Sequence, residues 1–328
     1  MLIDSYDVAL LDLDGVVYAG HQPIKNAAEA LAKARAAGLR LAFVTNNASR
    51  TPSSVAALLC SVGVPAGVED VVTSAQAAAR LLAETLPPGS KVLVVGGMGL
   101  RQALYAQGLR PVSTASERPA AVVQGFDPHL TYGLIAEGAQ AVQHGALYVA
   151  SNRDLSIPAN SGPPRPGNGA LTEVIRASTG VDPIVTGKPE PPLHRESILR
   201  TGAERPLVVG DRLDTDIEGA HNGGADSLLV FTGVTDPLMA LTAGPEHRPT
   251  YLAADLTGLL IDHPAVRADG DSFTCEGWTA TWDWGHLKLT GDGDPWNGLR
   301  ALSAAAWRSA TPTPRDAVEK AVSLLSLQ

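Results

Sequence analysis

Asp12 and Asp14 stand at the end of Val8-Ala9-Leu10-Leu11, a run whose four apolar residues read as a strand buried on both faces of a parallel sheet. Strand side chains repeat every two residues. Both carboxylates therefore leave the carboxyl end of that strand on one side, where open α/β sheets place their ligands. Two carboxylates that close repel each other, and a cation normally offsets them. Chance gives about one Asp-x-Asp in a chain of this composition, and this chain has four among its 21 Asp. Asp269/Asp271 and Asp292/Asp294 lie among glycines with no apolar strand before them, the composition of solvated turns. What separates Asp12/Asp14 from these is matching chemistry at three further strand ends.

The first is Leu41-Ala42-Phe43-Val44-Thr45-Asn46-Asn47, which ends in a hydroxyl and two amides, groups that hold phosphate oxygens without adding charge. The second, Ile184-Val185-Thr186-Gly187-Lys188-Pro189, delivers one lysine, a cation suited to a phosphoryl group. The third is Leu207-Val208-Val209-Gly210-Asp211, continuing through Arg212-Leu213-Asp214-Thr215-Asp216 into a helix. It supplies the further carboxylate that a divalent, oxygen-preferring metal requires.

Asp12-Leu13-Asp14-Gly15-Val16-Val17-Tyr18, Thr45-Asn46-Asn47, Gly187-Lys188-Pro189 and Gly210-Asp211 through Ile217 resemble the four ordered motifs of haloacid dehalogenase-type phosphatases with a large α/β (C2-type) cap. The subgroup is the one that holds phosphoglycolate, pyridoxal phosphate and glycerol 3-phosphate phosphatases, and the likeness runs from about Tyr6 to about Asp262. It implies that Asp12 is the nucleophile of an aspartyl-phosphate route and that Asp14 is the general acid and base. Mg²⁺ would be held by Asp12, the Asp14 carbonyl and Asp211, with Asp216 outside the ligand set, orienting waters or Lys188. Thr45, Asn46 and Lys188 would hold the phosphoryl oxygens. Ser151-Asn152-Arg153-Asp154 and Pro163 through Gly169 resemble the cap's substrate-facing loops, which makes Asn152, Arg153, Asp154, Gly167 and Asn168 candidates to contact the leaving group. Pro/Gly-rich loops are equally well explained as turns. Arg, Asn and Asp there suit a small polar leaving group, so glycerol 3-phosphate is the expected substrate, as in actinobacterial members, and 2-phosphoglycolate is the alternative. Transfer to an acceptor other than water stays open.

The expected fold is α/β: a Rossmann-like doubly wound parallel sheet core, an inserted α/β cap domain and a small Trp-rich α+β C-terminal extension. The stretches are 1–79 and 183–264 for the core, 80–182 for the cap and 265–328 for the extension. Cap strands are expected at Lys91–Val95, Ala120–Gln124 and Ala146–Ala150, separated by helices around Leu100–Gln107 and Tyr132–His144. All five tryptophans follow residue 277. In that tail Phe273–Leu289 reads as a hairpin, and Pro295–Ser309 and Pro314–Leu325 as helices, the second with Thr313 as N-cap and Asp316 completing a capping-box-like start. Tails of related actinobacterial phosphatases resemble a fragment of an acetyltransferase fold, yet this tail has no Arg-x-x-Gly-x-Gly/Ala loop to cradle acyl-CoA, which argues against acetyl transfer. Trp on short elements builds a small core more often than a ligand platform. A binding or regulatory role centred on the tail is the competing class.

A net charge of −9 disfavours nucleic acid and anionic membrane as partners, because both need a basic face. The expected partner is a small phosphorylated metabolite, with no nucleic acid and no membrane span, and with a homodimer left open. Cys60 and Cys275 are far apart and suggest neither a disulfide framework nor zinc. Met1-Leu2-Ile3-Asp4 lacks a basic, then apolar, leader pattern, and the cytoplasm is the expected compartment. Gly187-Lys188 is followed by Pro189 where a P-loop has Ser or Thr, Gly96-Gly97-Met98-Gly99 is not Gly-x-Gly-x-x-Gly, and no Gly-x-Ser-x-Gly elbow or His-Glu-x-x-His occurs.

Overall fold

A computed structural model describes residues 1–157 and 163–327. They gather into two compact units, Met1–Leu41 with Ala203–Gln328, and Ala42–Gly202. In this division residues 42–79 go with 80–202, and the tail goes with the first unit.

In the first unit the apolar runs form parallel strands in the spatial order Tyr251–Ala253, Asp226–Val230, Pro206–Gly210, Val8–Leu11. Leu10 pairs with Val208, Val209 with Leu228 and Leu229 with Leu252. Val8–Leu11 is buried along its whole length, the burial that an uninterrupted apolar run requires.

The tail forms an antiparallel sheet of Arg267–Asp269, Ser272–Cys275, Trp278–Asp283 and His286–Gly291. The stretch expected as a hairpin thus supplies three of the four strands of this sheet. Two of its turns, Glu276-Gly277 and Trp284-Gly285, have positive φ at both positions (38° and 87°, 48° and 84°), which matches the right-handed twist of the flanking strands. Asp269 and Asp271 flank the first turn, on the surface. Asp294 instead caps the helix Pro295–Ala306, accepting the Trp296 N–H at 3.0 Å.

One expectation fails here. Thr313 does not cap the last helix. That helix runs Arg315–Val322 with Pro314 at its N-cap and no side-chain cap, while the buried Thr313 hydroxyl donates to the Ala306 carbonyl at 2.6 Å. A buried hydroxyl is costly without a partner, and the end of the preceding helix supplies one.

The tail has no core of its own. Leu299, Leu302, Ala305, Phe273, Ala280 and Leu289 lie in one apolar cluster with Leu229, Leu252, Ala240 and Leu241 of the parallel-sheet region. Two tryptophans fasten this seam. Trp307 Nε1 donates to the Ala240 carbonyl at 3.1 Å, and Trp296 packs against Phe231 with ring centroids 5.4 Å apart. Trp282 Nε1 donates to the Ala305 carbonyl at 3.0 Å within the tail. Arg300 donates to the Leu252 carbonyl at 3.0 Å and Arg248 to that of Trp307 at 3.1 Å.

In the second unit Arg40–Thr45 carries the chain in from Leu41 and pairs in parallel with Val71–Thr73, Phe43 opposite Val71. A five-stranded parallel sheet has the order Ile184–Val185, Leu147–Ala150, Ala121–Gln124, Lys91–Val95, Arg110–Val112. Ile184–Val185, read from the sequence as core, is an edge strand of this sheet. The period of two sorts its side chains onto two faces. Val92 and Val94 pack with Leu82, Leu100 and Leu104, and Leu93 and Val95 with Val142, Tyr148 and Ile175. Glu196, fully buried on the helix Pro191–Thr201, is bonded by Arg80 from the helix Ser74–Thr85 and by Arg200 at 2.5 Å. Two guanidinium partners make that burial tolerable.

Because Leu302 is fully buried in the shared cluster, Leu302→Ala should destabilise the whole first unit by about 2–5 kcal/mol in urea unfolding. A loss under ~0.5 kcal/mol would show that tail and sheet do not share a core.

Candidate active site

The carboxylate set lies wholly within the first unit. Asp12 follows Val8–Leu11 and extends its ladder by one rung, its N–H donating to the Val209 carbonyl at 2.8 Å. Asp211 follows the neighbouring strand, so parallel pairing delivers both side chains at adjacent carboxyl ends. Asp216 comes from the π-helical turn Leu213–Ile217, in which the Ile217 N–H reaches the Arg212 carbonyl at 3.2 Å. The Arg212 N–H donates to Asp216 at 3.2 Å. Asp12, Asp211 and Asp216 each bring an oxygen to within 4.8 Å of the other two. Asp211 and Asp216 are each 1% exposed.

Small residues make this crowding possible. A Cβ on Gly15, where φ is +88°, would stand 2.5 Å from Asp211 Oδ2, and one on Gly233 or Gly210 would overlap Asp211 or Asp216. The Asp211 carboxylate accepts the Val234 N–H at 2.7 Å, its carbonyl accepts the Thr235 N–H at 3.1 Å, and the Thr232 hydroxyl donates to the Gly15 carbonyl at 2.5 Å. Thr232-Gly233-Val234-Thr235 thus braces the set, a role the sequence reading missed. Its signal was present: an apolar run, Leu228 to Phe231, ending in Thr232 as the run Leu41 to Val44 ends in Thr45.

Three carboxylates this close repel strongly unless a cation joins them. The donor set is all oxygen and anionic, which fits Mg²⁺, Ca²⁺ or Mn²⁺ and excludes a preference for soft metals. Asp216, expected outside the ligand set, also brings an oxygen within 4.8 Å of the other two. The Asp14 side chain is exposed and stands outside the group, beside the turn closed by the Gly15 N–H to the Tyr18 carbonyl at 2.7 Å. Asp214 diverges to the surface, paired with Arg212 at 2.8 Å.

Thr45, Asn46 and Lys188 lie in the second unit. The Thr45 hydroxyl accepts the Asn47 N–H at 3.1 Å, which leaves its own hydrogen to donate. Lys188 Nζ donates to the Val44 carbonyl at 3.2 Å. The Asn46 carboxamide accepts the Lys188 N–H at 2.7 Å and donates to the Lys188 carbonyl at 3.1 Å.

The cap candidates divide. Asn152 (4% exposed) donates to the Asn46 carbonyl at 2.7 Å, and Asn168 (1% exposed) donates to the Asn152 carbonyl at 2.9 Å. Buried donors already used on backbone carbonyls brace the loop. Gly167 and Gly169 do the same by close approach, since a Cβ on either would overlap the carbonyl of Asp154 or Arg153. Asp154 is half-buried, its carboxylate accepting from Asn46 at 3.2 and 3.4 Å, and Arg153 is exposed.

Comparison with known proteins agrees with this layout. Residues 9–110 match the family described as haloacid dehalogenase-like hydrolase, residues 185–259 a second HAD-hydrolase-like family, and residues 275–327 a GCN5-related N-acetyltransferase like domain. The chain is 43% identical over 317 residues to D-glycerol 3-phosphate phosphatase of Mycobacterium tuberculosis, covering 94% of this chain and 88% of that protein. It is 41% identical over 233 residues to 5'-nucleotidase YutF of Bacillus subtilis, covering 70% of this chain and 89% of that protein. The crystal structure of glycerol phosphate phosphatase from Mycobacterium tuberculosis in complex with magnesium superposes with a TM-score of 0.89 at 41% identity, covering 100% of this chain and 99% of that one. The parallel α/β core, the second α/β sheet and the tail therefore recur together in a solved structure, and the chain belongs to the haloacid dehalogenase-like hydrolases.

Proposed function

We propose that this protein hydrolyses a small phosphate monoester with Mg²⁺, best read as glycerol 3-phosphate to glycerol and phosphate. The observation that carries the chemistry is the set of three carboxylate oxygens within 4.8 Å at adjacent strand ends. Support for the substrate is the 43% identity, over 94% of the chain, to a protein named for that ester.

A phosphate monoester resists attack because its oxygens repel nucleophiles, so catalysis is largely neutralisation and in-line positioning. In our reading an oxygen of Asp12 bonds to phosphorus as the bond to the alkoxide breaks, giving an aspartyl-phosphate. Asp14 gives its proton to the departing oxygen, then takes one from the water that attacks the acyl phosphate and restores the Asp12 carboxylate. Its exposed side chain suits this duty, because it must meet both leaving group and water. Thr45 donates its hydroxyl hydrogen and Lys188 its ammonium charge to the phosphoryl oxygens. Asp12, Asp211 and Asp216 would hold Mg²⁺, which supplies the positive charge that offsets carboxylates and phosphoryl group alike. We take residues 80–182 as the cap that selects the leaving group and place the reaction in the cytoplasm, where free cysteines such as the exposed Cys60 are at home.

Asp12→Asn should lower kcat by about 10³-fold or more while the protein stays folded, because the amide is nearly isosteric but a poor nucleophile. Full turnover in a folded variant would take the nucleophile away from Asp12. Asp14→Asn should cost about 10²–10⁴-fold on an alkyl phosphate and markedly less on p-nitrophenyl phosphate, whose leaving group needs no proton. Equal losses on both would exclude proton transfer by Asp14. Asp211→Asn should raise the Mg²⁺ concentration for half-maximal activity and weaken Mg²⁺ binding in calorimetry, since one anionic ligand is gone. An unchanged binding isotherm would move the metal elsewhere. The substrate is read from phosphate release over both enantiomers of glycerol 3-phosphate, 2-phosphoglycolate and nucleoside monophosphates; a preference for either of the latter two would overturn the glycerol 3-phosphate assignment.

A further inference from the structure

Asn46 has no side-chain hydrogen left for a phosphate. A primary amide carries two N–H donors. One goes to the Lys188 carbonyl at 3.1 Å and the other to the Asp154 carboxylate, while Oδ1 accepts the Lys188 N–H at 2.7 Å. One planar group thus meets both the N–H and the C=O of one residue, as a neighbouring strand would. Gly187 permits the approach, for a Cβ there would stand 2.6 Å from Asn46 Oδ1 and 2.5 Å from the Ser151 carbonyl. Asn46 is itself fixed from behind, its carbonyl accepting from the Ser74 hydroxyl at 2.6 Å and from Asn152 at 2.7 Å.

We propose that Asn46 is a positioning residue: its side chain fixes the peptide from which Lys188 extends and ties that peptide to Asp154 of the 151–156 loop. The proposal rests on the phosphatase reading and adds to it that the phosphate-holding lysine and the loop facing the leaving group are set by a single amide. Only an amide can do both. Aspartate would accept from the Lys188 N–H but could not donate to its carbonyl, and it would face the Asp154 carboxylate with like charge.

The test is a double-mutant cycle in the Mg²⁺-loaded enzyme, read as the inhibition constant of inorganic phosphate and as KM and kcat for p-nitrophenyl phosphate. Asn46→Ala should weaken phosphate about tenfold, the scale of a lost clamp. In the Lys188→Ala background the same change should add no more than about twofold, because its effect passes through the lysine. Independent, multiplying effects would make Asn46 a phosphate ligand in its own right and overturn the proposal. Asn46→Asp should be as weak as Asn46→Ala, and adding Asp154→Asn should recover at least about threefold by exchanging donor and acceptor; no recovery would overturn the tether to Asp154. Asn46→Asp is isosteric and enters the same cycle if the alanine variant does not fold. A wild type that hydrolyses no phosphate ester would sink the phosphatase reading, whereas an additive cycle in an active enzyme sinks only the role given to Asn46.

Discussion

Repulsion among Asp12, Asp211 and Asp216 is the constraint around which the first unit is built. Each carboxylate is destabilised by the other two, and two of them lie out of water, so the fold has to hold them together against their own field. It does so with covalent and backbone devices. Parallel pairing fixes where Asp12 and Asp211 emerge, the turn after Asp211 returns Asp216 to the same spot, and Gly15, Gly210 and Gly233 leave room that any side chain would fill. The Val234 N–H aims the Asp211 carboxylate. A hard, doubly charged cation offsets that crowding, because its charge is attracted by all three carboxylates at once.

In the second unit the position of Lys188 is set partly by neutral groups: its peptide by Asn46, its tip by the Val44 carbonyl. An aspartate at position 46 would have made a stronger bond to the lysine peptide N–H and a weaker site for phosphate.

Much of this was legible in the sequence, for identifiable reasons. Apolar runs that end abruptly in Asp, Thr or Lys locate strand ends, and Val8–Leu11, Arg40–Thr45 and Pro206–Gly210 end where those runs do. The glycine-rich setting of Asp269 and Asp271 also marked a surface turn correctly. What the sequence hid was hydrogen-bond allocation. Asn46, Asn152 and Asn168 look like ligand contacts because amides suit polar ligands, yet each gives a donor to a backbone carbonyl, for Asn46 and Asn152 one more than a hundred positions away. The clamp Thr232 to Thr235 and the pairing of Ile184–Val185 with Leu147–Ala150 were hidden likewise, because register between distant strands leaves no local pattern. Thr313 shows the same limit at short range: a good N-cap type followed by proline gave its hydroxyl to the preceding helix instead.

The tail shows how composition misleads about independence. A late cluster of five tryptophans suggests a separate module, and the match of residues 275–327 to an acetyltransferase-like family points the same way. Packing says otherwise. Four of the five pack against the shared cluster, Trp296 and Trp307 touching Phe231 and Ala240 beyond the tail, and only Trp284, at a hairpin tip, is open to water at 97%. Four small strands and two short helices bury too little surface to stand alone, so they share a core with Leu229 and Leu252 of the parallel-sheet region. Removing the tail would strip those residues of cover and destabilise the sheet that carries Asp12 and Asp211. A loss of hydrolysis on deletion therefore says nothing about a catalytic role for the tail. Any function it has beyond support must be sought on its surface, beginning with the indole of Trp284, which the fold does not use.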